Sequence, residues 1–344
     1  MRGKINFGVV GLGAVCRGGH LPTLHVMPQA NIIMVCDINE ELAKKVGKKY
    51  GVEWTTNYED IAGDSKVDAV TISTPHHLHY EVALAMAKAK KHIFCEKPFA
   101  IALEQCDNVI DACKEASVKL MIAENYLFEP AIQIIKKVVN KGMLGELKEI
   151  NLIQDTPIER QGWRWKKIAG GGAFLDPGVH LAALARYFMG EVKSVSAKIA
   201  KKDIEGLEVE DTGKMIIEFT SGNLGVIGAS WRTGIVAMRY EIEGSLGRAT
   251  FNIQHGMSPA QLRICSSTYK ITNSYGVYSP LIPPQHSSAE SYANEFKHFI
   301  DCIINDKDPL YDGKEGRKAV EMILAGYKSA KEGKSVTLPL KGGR

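Results

Sequence analysis

The stretch "INFGVVGLGAVC", residues 5–16, decides the fold of the N-terminal part of the chain. Its apolar, strand-forming residues run directly into Gly11 and Gly13, the first two glycines of a G-x-G-x-x-G turn, and Cys16 takes the third position. Two such glycines allow a tight turn, in which backbone N–H groups approach a pyrophosphate at the start of a helix. The pattern therefore predicts a strand followed by a dinucleotide-binding turn. The turn residues expected to contact the dinucleotide are Gly11, Leu12, Gly13, Ala14 and Val15.

Asp37 supplies the second half of this pattern. It ends the next predicted strand, 31–37, and lies 24 residues after Gly13. A carboxylate at this strand end accepts hydrogen bonds from the adenosine ribose and repels a 2′-phosphate. Asp37 therefore favours NAD over NADP as the cofactor. The alternative interpretation is a glycine turn beside an ordinary surface aspartate.

Short strands alternate with helical patterns throughout residues 1–123. The predicted strands are 5–10, 31–37, 68–74, 92–98 and 119–123, and the predicted helices are 39–51, 78–89 and 103–116. Such alternation is typical of a parallel sheet with helices on both faces. Gly18, Gly19 and Pro22 interrupt the first crossover, where we expect a helical turn followed by a break.

The pattern changes after Ala123. Several β-type runs follow one another without helices between them, and one pair is joined by a hairpin-like turn at 221–223, which is typical of a mostly antiparallel sheet. The helices predicted in this part lie near 130–141, 176–189, 291–304 and 314–331. We therefore predict an α/β protein, with a doubly wound Rossmann domain over 1–123. A second α/β domain, with the mostly antiparallel sheet, covers 124–344.

Composition and charge narrow the class of protein. The chain has 344 residues, of which 45% are hydrophobic and 24% charged, as in ordinary globular proteins. Its 43 basic and 39 acidic residues leave a formal net charge of +4 without a basic block, which argues against nucleic-acid and membrane partners. The N-terminal stretch lacks a signal-like apolar segment, and the scattered cysteines form no CxxC pair. We expect a reduced, cytoplasmic protein.

Two stretches of polar residues follow predicted strands of the first domain. "STPHHLHYE" (73–81) and "CEKPF" (95–99) lie just past carboxyl strand ends, the edge at which open α/β sheets bind ligands. Lys97 is placed there to donate a hydrogen bond to a substrate oxygen and to stabilise alkoxide charge, although a solvated lysine is the common alternative. The histidines of the first stretch lack cysteine or carboxylate partners at ligand spacing, so no metal site is expected. The residues expected to contact the cofactor or substrate are Ser73, Thr74, His79, Glu96 and Lys97.

The stretch "GGGAFLDPGVH", residues 170–180, places a carboxylate and an imidazole one helical turn apart. Asp176 suits a helix N-cap, Pro177 suits the first helical position, and His180 then shares the face of Asp176. A cap, a proline and a core histidine explain the pattern without any catalytic role. An acid and an imidazole on one face are equally suited to proton transfer and substrate binding.

The preceding segment "IERQGWRWKK", residues 158–167, is rich in aromatic and basic side chains. Its tryptophans are suited to stack on a sugar ring, and its basic side chains are suited to meet a phosphate or carboxylate. Ordinary packing and solvated charge explain these residues as well. The candidates for substrate binding are Arg160, Trp163, Arg164, Trp165 and Lys166.

Five stretches together resemble the Gfo/Idh/MocA oxidoreductases, the family of glucose–fructose oxidoreductase and inositol dehydrogenase. They are "GVVGLG", "STPHHLHYE", "CEKPF", "NYLFEP" and "GGGAFLDPGVH", in the order and approximate spacing of that family, and the likeness extends from residue 5 to about residue 250. The resemblance implies an N-terminal Rossmann domain and a C-terminal domain with a large, open sheet. It also implies a homo-oligomer, a dimer or tetramer, assembled through that sheet.

The resemblance implies roles for individual residues. The Lys97–Pro98 peptide is expected to be cis, and Asn125 is expected near the cofactor. One departure is visible, because Leu127 stands where many members have an arginine. The catalytic lysine, acid and histidine of the family correspond to Lys97, Asp176 and His180.

These patterns predict an NAD-dependent oxidoreductase that transfers a hydride between nicotinamide and a secondary hydroxyl or keto group of a sugar, sugar derivative or cyclitol. His180 would exchange the hydroxyl proton, Lys97 would polarise the oxygen, and Asp176 would bind a neighbouring hydroxyl. Two alternatives stay open. One is an enzyme that oxidises a glycoside transiently with recycled NAD in order to cleave it or eliminate from it; the other is a non-catalytic NAD-binding sensor on the same fold.

Overall fold

The computed structural model describes residues 3–157, 162–254, 261–267 and 284–340. Its contacts divide the chain into two compact units. The first unit consists of Met1–Asn125 and Ala289–Lys318, and the second of Tyr126–Ser288 and Ala319–Gly343. Within the described ranges, no helix is both long enough and apolar enough to cross a bilayer.

The sheet of the first unit is parallel throughout. Its strands are β1 (Ile5–Val10), β2 (Ala30–Cys36), β3 (Glu53–Thr55), β4 (Ala69–Ile72), β5 (His92–Glu96) and β6 (Leu120–Ala123). They are ordered β3-β2-β1-β4-β5-β6, with every neighbouring pair parallel. The order reverses between β1 and β4, and this arrangement is the predicted Rossmann sheet. The carboxyl ends of β1, β4 and β5 therefore lie at one edge.

Helices connect these strands, and asparagine side chains cap two of them. They are α1 (Leu21–Val26), α2 (Glu40–Tyr50), α3 (Tyr58–Gly63), α4 (His79–Lys88) and α5 (Leu103–Ala116). The Asn39 side chain accepts a hydrogen bond of 3.0 Å from the N–H of Leu42, which caps α2. The same helix ends at Gly51, whose φ of 68° lies in the left-handed region that favours glycine.

The break expected in the first crossover is wrong. Residues Cys16–His20 form a π-helical segment that continues directly into α1, and Pro22 lies in the first turn of that helix. The N–H of Leu21 bonds to the carbonyl of Cys16, five residues back. Because this wide turn leaves Pro22 in a helix start, where no N–H is needed, the chain stays helical through both glycines.

The second unit contains the mostly antiparallel sheet. In chain order, its first helices and strands are α6 (Pro130–Asn140), β7 (Leu147–Pro157), α7 (Gly178–Met189), β8 (Val192–Ala200), β9 (Thr212–Phe219), β10 (Leu224–Ser230), β11 (Arg232–Gly244), β12 (Gly247–Gln254) and β13 (Gln261–Ser266). The chain then forms α8 (Pro284–Ile304), α9 (Gly313–Glu332) and β14 (Val336–Thr337). The sheet order is β13-β12-β11-β7-β10-β9-β8-β14, and among these described strands only β7 and β10 pair in parallel.

Alternation along β9 separates the two faces of this sheet. Met215 and Ile217 are buried, whereas Ile216 between them is 55% exposed. A strand with one buried and one open face shows this period of two. The mixed, mostly antiparallel sheet and the parallel sheet together are the α/β architecture that the sequence predicts.

Helix α8 returns the chain to the first unit. Its Phe296 ring stacks on Phe94 of β5, with centroids 4.3 Å apart, and meets Phe7 of β1 edge-on at 6.1 Å. Phe299 packs beside them and is also fully buried. Burial of these rings stabilises the packing of α8 on β1 and β5. The helix therefore belongs to the first unit, although it is far from these strands in the sequence. The predicted domain boundary between 123 and 124 stays a prediction.

Candidate active site

The glycine turn after β1 has one glycine that packing requires and one that faces open space. Gly11 has a φ of 88°, and a Cβ placed there would lie 2.6 Å from the carbonyl carbon of Ser73. At Gly13 the nearest atom to such a Cβ is the Ser73 oxygen, at 4.0 Å. Gly11 therefore lets two strand ends approach, and Gly13 leaves its backbone accessible. Ala14 and Val15 follow as the first helical residues.

Asp37 contacts the glycine turn directly. Its Oδ2 accepts a hydrogen bond of 2.8 Å from the N–H of Leu12, and its Oδ1 accepts one of 2.9 Å from the N–H of Asn39. Each carboxylate oxygen has a second lone pair, so both remain able to accept from ribose hydroxyls. The carboxylate thus orients the turn and stands where an adenosine ribose is bound in this fold.

Ser73 and Thr74, after β4, complete the nucleotide edge. The Ser73 hydroxyl donates to the carbonyl oxygen of Gly11 at 2.8 Å. The Thr74 hydroxyl oxygen is buried and has no hydrogen-bond partner among the described residues. A buried polar atom without a partner is costly unless a ligand or water satisfies it. This orphan hydroxyl, the open Gly13 and the Asp37 carboxylate fit a bound dinucleotide.

Cys16 occupies the third position of the glycine pattern as a buried side chain. It is fully inaccessible, and burial raises the pKa of its thiol to about 12. A neutral thiol of this size packs as a small hydrophobe between helix and strand, which is the part the third glycine plays in this turn.

Glu96 and Lys97 lie at the carboxyl end of β5. Glu96 is nearly buried, and Lys97 is partly buried. The Lys97 N–H donates to Glu96 Oε2 at 3.2 Å, and the Lys97–Pro98 peptide is cis, as expected. The other Glu96 oxygen lies 2.9 Å from Nε2 of His20, a fully buried histidine that the sequence patterns do not single out.

His79 contacts the backbone at both ring nitrogens. Its Nδ1 lies 2.8 Å from the Pro98 carbonyl oxygen, and its Nε2 lies 2.9 Å from that of Thr74. Burial, with the neighbouring His76, lowers the pKa of His79 to about 4, so the neutral ring donates to only one of these oxygens. His79 joins the two strand-end segments. Its direct contact with a cofactor stays a prediction.

Asn125 follows β6 at the end of the first unit's main segment. Its side-chain amide donates to the Ser291 hydroxyl of α8 at 3.4 Å. Leu127, the departure from the family's arginine, is buried with 1% exposure. An apolar side chain therefore fills this position, and the cofactor contact of Asn125 stays a prediction.

In the second unit, Asp176 pairs with Arg164. The Arg164 Nε donates to Asp176 Oδ2 at 2.8 Å, and the guanidinium carbon lies 4.5 Å from the centroid of the Trp163 ring. Asp176 is 8% exposed. The expected N-cap role of Asp176 is wrong, because α7 begins at Gly178 with Pro177 in the cap position. The carboxylate is instead fixed by a charge-assisted hydrogen bond.

The other candidates of this segment have different surroundings. Trp165 is buried in a cluster with Ala173, Leu207, Val209 and Trp231, so it is a core residue and not a surface for a sugar. Lys166 forms an ion pair with Glu208, with a separation of 2.8 Å. Arg160 lies outside the described residues. Of these candidates, Arg164 binds Asp176 directly, and Trp163 packs against Arg164.

His180 is stacked on Tyr126. The centroids of the two rings are 3.9 Å apart, and their planes form an angle of 8°. His180 is 6% exposed. The Tyr126 hydroxyl accepts a hydrogen bond of 2.9 Å from the Gln154 amide of β7. Tyr240 of β11 donates to the same amide at 3.3 Å. The stack and the hydrogen bonds fix the plane of the imidazole.

Glu210 forms a hydrogen bond with the glycine-rich loop, residues 170–175, that precedes Asp176. Its Oε1 accepts hydrogen bonds from the Phe174 N–H at 2.9 Å and from the Tyr327 hydroxyl at 2.7 Å. Burial raises the pKa of Glu210, and burial together with that carboxyl raises the pKa of Tyr327 well above its usual range. Gly172, with a φ of 116°, packs against the carboxyl where a side chain would collide.

The predicted candidates thus fall into two groups. The first unit brings together its glycine turn, Asp37 and the two polar strand ends. The second unit brings together Trp163, Arg164, Asp176 and, one helical turn on, His180. Sequence patterns missed His20 and Tyr126. Within the described residues, no group of three or more His, Cys, Asp or Glu side chains is arranged to hold a metal ion.

The fold and the nucleotide edge define an NAD-binding oxidoreductase. The family described as oxidoreductases with an NAD-binding Rossmann fold matches residues 5–124. The associated C-terminal α/β domain of that family matches residues 136–338. The chain therefore belongs to the Gfo/Idh/MocA oxidoreductase family, and NAD is its cofactor.

Two of the named relatives span almost the whole chain, and a third spans about two thirds of it. Myo-inositol 2-dehydrogenase of Thermotoga maritima is 30% identical, with 97% of this chain and 98% of that protein covered. The structure of levoglucosan dehydrogenase in complex with NADH and levoglucosan has a TM-score of 0.88 at 25% identity, covering 98% of this chain and 99% of that one. The 2,7-anhydro-N-acetylneuraminate hydratase of Escherichia coli is 28% identical over 65% of this chain and 61% of its own length.

Proposed function

We propose that the protein is an NAD-dependent dehydrogenase or reductase acting on a secondary hydroxyl group of a sugar, a sugar derivative or a cyclitol. The observation that carries the proposal is Lys97 at the carboxyl end of β5, in the sheet whose glycine turn fits the dinucleotide. The similarity to a myo-inositol dehydrogenase and to a levoglucosan dehydrogenase supports a polyhydroxylated substrate. Residues 1–123 would bind NAD, and residues 124–344 would bind the substrate.

The residues divide the chemistry between them. When bound, NAD would supply the nicotinamide that accepts a hydride from the substrate carbon. His180 accepts the hydroxyl proton as the carbonyl forms, and Lys97 donates a hydrogen bond to the same oxygen. Asp176 accepts a hydrogen bond from a neighbouring hydroxyl, with its carboxylate oriented by Arg164. The fixed plane of the His180 ring limits the directions from which a hydroxyl can approach it.

The direct test is oxidation of candidate polyols. Purified protein is incubated with NAD⁺ and myo-inositol, scyllo-inositol, levoglucosan or common aldoses, and NADH is followed by its absorbance. We expect turnover with at least one of them and loss of turnover in H180A. The exposed His25 provides a matched control, and H25A should keep the activity. An active H180A would remove His180 from the proposed mechanism.

A second candidate function keeps the cofactor but recycles it. The similarity to a hydratase of an anhydro-sugar favours it. In that case NAD would remain bound through purification, and a glycoside would be consumed without net NADH. Mass spectrometry of the denatured protein and product analysis distinguish the two reactions. A steady rise of NADH with substrate consumption would exclude recycling.

We also propose a homo-oligomer assembled through the open face of the second unit's sheet. Ile216 and Leu224 are 55% and 53% exposed on neighbouring strands, and Val226 pairs opposite Ile216 on the same face. Exposed apolar side chains of this kind mark interaction surfaces. Light scattering should give the mass of a dimer or tetramer for the native protein, and I216K should reduce it. A native protein that scatters as a 37.7 kDa monomer would contradict the proposal.

A reducing compartment is the last part of the proposal. The cysteines are free thiols, and all except Cys265 are buried. Burial raises the pKa of several of them, Cys95 well above its usual range, so they remain protonated and unreactive. These properties support a cytoplasmic location, which fractionation of the native host would test.

A further inference from the structure

His20 lies at the centre of the first unit, bonded at both ring nitrogens. Its Nδ1 is 2.8 Å from the Thr71 hydroxyl of β4, and its Nε2 is 2.9 Å from Glu96 Oε1 at the end of β5. The residue has no exposed surface. A histidine so placed joins two strands by side-chain contacts that the sheet itself does not require.

Aromatic rings enclose this histidine. Phe94, Tyr292 and Phe296 meet it edge-on, with centroids between 5.2 and 5.7 Å away. In such surroundings a hydrogen bond to a carboxylate is strong, and an unpaired carboxylate would be costly. The contact therefore fixes Glu96 Oε1 in one place.

Glu96 transmits this constraint to the next residue. Its second oxygen accepts the N–H of Lys97 at 3.2 Å, so one carboxylate bridges His20 and the Lys97 backbone. The two residues are adjacent in sequence, and a rotation of the Glu96 carboxyl would release the Lys97 N–H. The orientation of this segment thus depends on the imidazole.

A second buried carboxyl, Glu295 of α8, does not compete for this role. Burial first, and then the charges of Glu96 and Glu124, raise the pKa of Glu295 well above its usual range, which favours its neutral form. It is Nε2 of His20 that lies within hydrogen-bond distance of Glu96 Oε1, at 2.9 Å.

The position of His20 in the chain gives the contact a further meaning. It is the last residue of the π-helical segment Cys16–His20, which begins three residues after Gly13. Single π-helical turns frequently occur at functional sites. One short segment therefore connects the NAD-binding turn to the strand end that carries Lys97.

We propose that His20 is a positioning residue, which acts through Glu96 to orient Lys97 beside the cofactor turn. The inference rests on the catalytic role proposed above for Lys97. His20 itself has no exposed surface that a substrate or NAD could contact. Its Nε2–H donates to Glu96, and the Thr71 hydroxyl donates to its Nδ1.

A pair of substitutions separates this role from simple filling of the core. In H20Q the amide nitrogen can replace Nε2 and still donate to Glu96, whereas in H20N the shorter amide reaches only toward Thr71. We expect H20N to lower kcat about 10- to 100-fold, as misplacement of a catalytic group does. H20Q and T71V should stay within about fivefold of the native kcat, the size of one neutral hydrogen bond. The KM for substrate should change little in all three.

A second readout needs no substrate. Lysine acylation of the whole protein, read by mass spectrometry, compares Lys97 with the exposed Lys66 in the same digest. Labelling of Lys97 should be faster in H20N and unchanged in H20Q. Long-range ¹H–¹⁵N spectra of the native protein, assigned with H20Q, should show Nε2 protonated, and this measurement stands even where H20N does not fold.

Each contrary outcome has one meaning. Equal kcat and equal labelling in H20N and H20Q, or an Nε2 without a proton, would overturn the positioning role. If K97M retained activity while the labelling still followed His20, the proposed chemistry would fail and the coupling between His20 and Lys97 would stand.

Discussion

The two units hold their candidate catalytic groups in different ways. In the first, Lys97 follows a strand of a parallel sheet, and its neighbour Glu96 is bonded to a fully buried histidine. In the second, Asp176 and His180 lie just before and within the start of α7, and they contact the side chains of Arg164 and Tyr126. In the first unit strand register sets the position of Lys97 and the His20–Glu96 contact adds to it, whereas in the second unit side-chain contacts set orientation.

This difference suggests unequal sensitivity to substitution. A group placed by the sheet is supported by several buried bonds, so its removal deletes the group without disturbing its surroundings. A group oriented by a neighbouring side chain responds to changes in that neighbour by degrees. We therefore expect large losses where a catalytic group itself is removed and graded losses where the side chain under His180 is changed.

Substitution of Lys97 should have the largest effect. K97M preserves the length of the side chain and removes its charge and hydrogen-bond donors. We expect kcat to fall about 10²- to 10³-fold, the usual effect of removing one donor to a developing oxyanion. Steady-state kinetics give this loss, and titration of NADH fluorescence should show nearly native binding. A variant that lost only NADH affinity would show that Lys97 contacts the cofactor and not the reacting oxygen. That result would contradict the comparison between the two units.

Substitution of Asp37 should affect cofactor affinity. D37S removes a charged acceptor, and hydrogen bonds to charged groups contribute about 1.5–3 kcal/mol, which is about 10- to 150-fold in affinity. We expect NADH to bind more weakly by such a factor, and NADPH to bind relatively better because repulsion of its phosphate is removed. Fluorescence titration of both nucleotides measures this. D203S, at an exposed aspartate, should leave both affinities unchanged.

Substitution of Tyr126 should give a graded loss. Y126L removes the stack under His180, and aromatic pairs contribute about 0.5–1.5 kcal/mol, so kcat should fall up to about tenfold. Y126F keeps the stack but loses the hydroxyl that Gln154 binds, and it should lie between Y126L and the native protein. Kinetics of the pair sharpen the comparison. If Y126L were as inactive as K97M, removal of a catalytic group and loss of its orienting neighbour would have the same effect, and the comparison would fail.

Substitution of Glu295 should change stability alone. Its folded-state pKa is raised, so the folded protein keeps a proton that the unfolded chain releases above its ordinary pKa, and stability is lost as pH rises between these two values. E295Q lacks this loss, so its advantage over the native protein should grow with pH by at most about 1.4 kcal/mol per unit. Thermal melts at pH 5, 6 and 7 test it. A melting difference independent of pH, or one shared by the exposed control E290Q, would contradict the burial of this carboxyl.

The nucleotide half of the fold is well predicted from sequence because its signals are local. The glycine turn, the Asn39 cap and the end of α2 at Gly51 each depend on neighbouring residues. The short elements β3 and α3 carry too few residues to show a period. Helix α8 belongs to the first unit because Phe296 packs on Phe94, and no local sequence pattern indicates this contact.

The site is less predictable for the same reason. Asp176 and His180 share a motif, but their partners Arg164 and Tyr126 come from other segments, and the supposed cap is an ion pair. Trp165 and Trp163 look alike in sequence, yet only Trp165 belongs to the core. His20 follows two glycines and a predicted break, where no pattern indicates burial. Side-chain identity gives the chemistry, and tertiary contact decides which groups perform it.

The π-helical turn after the nucleotide-binding loop has a consequence for how this chain tolerates changes in length. Such a turn holds one residue more than an ordinary helical turn, so deletion of Gly18 or Gly19 would tighten it into a regular helix. A wide turn and a regular turn cover nearly the same rotation, so α1 would keep its phase and the imidazole its place between the two strands. The glycine fingerprint would also remain intact. Two chains aligned with a single-residue gap here can therefore share both the fold and the contacts of His20.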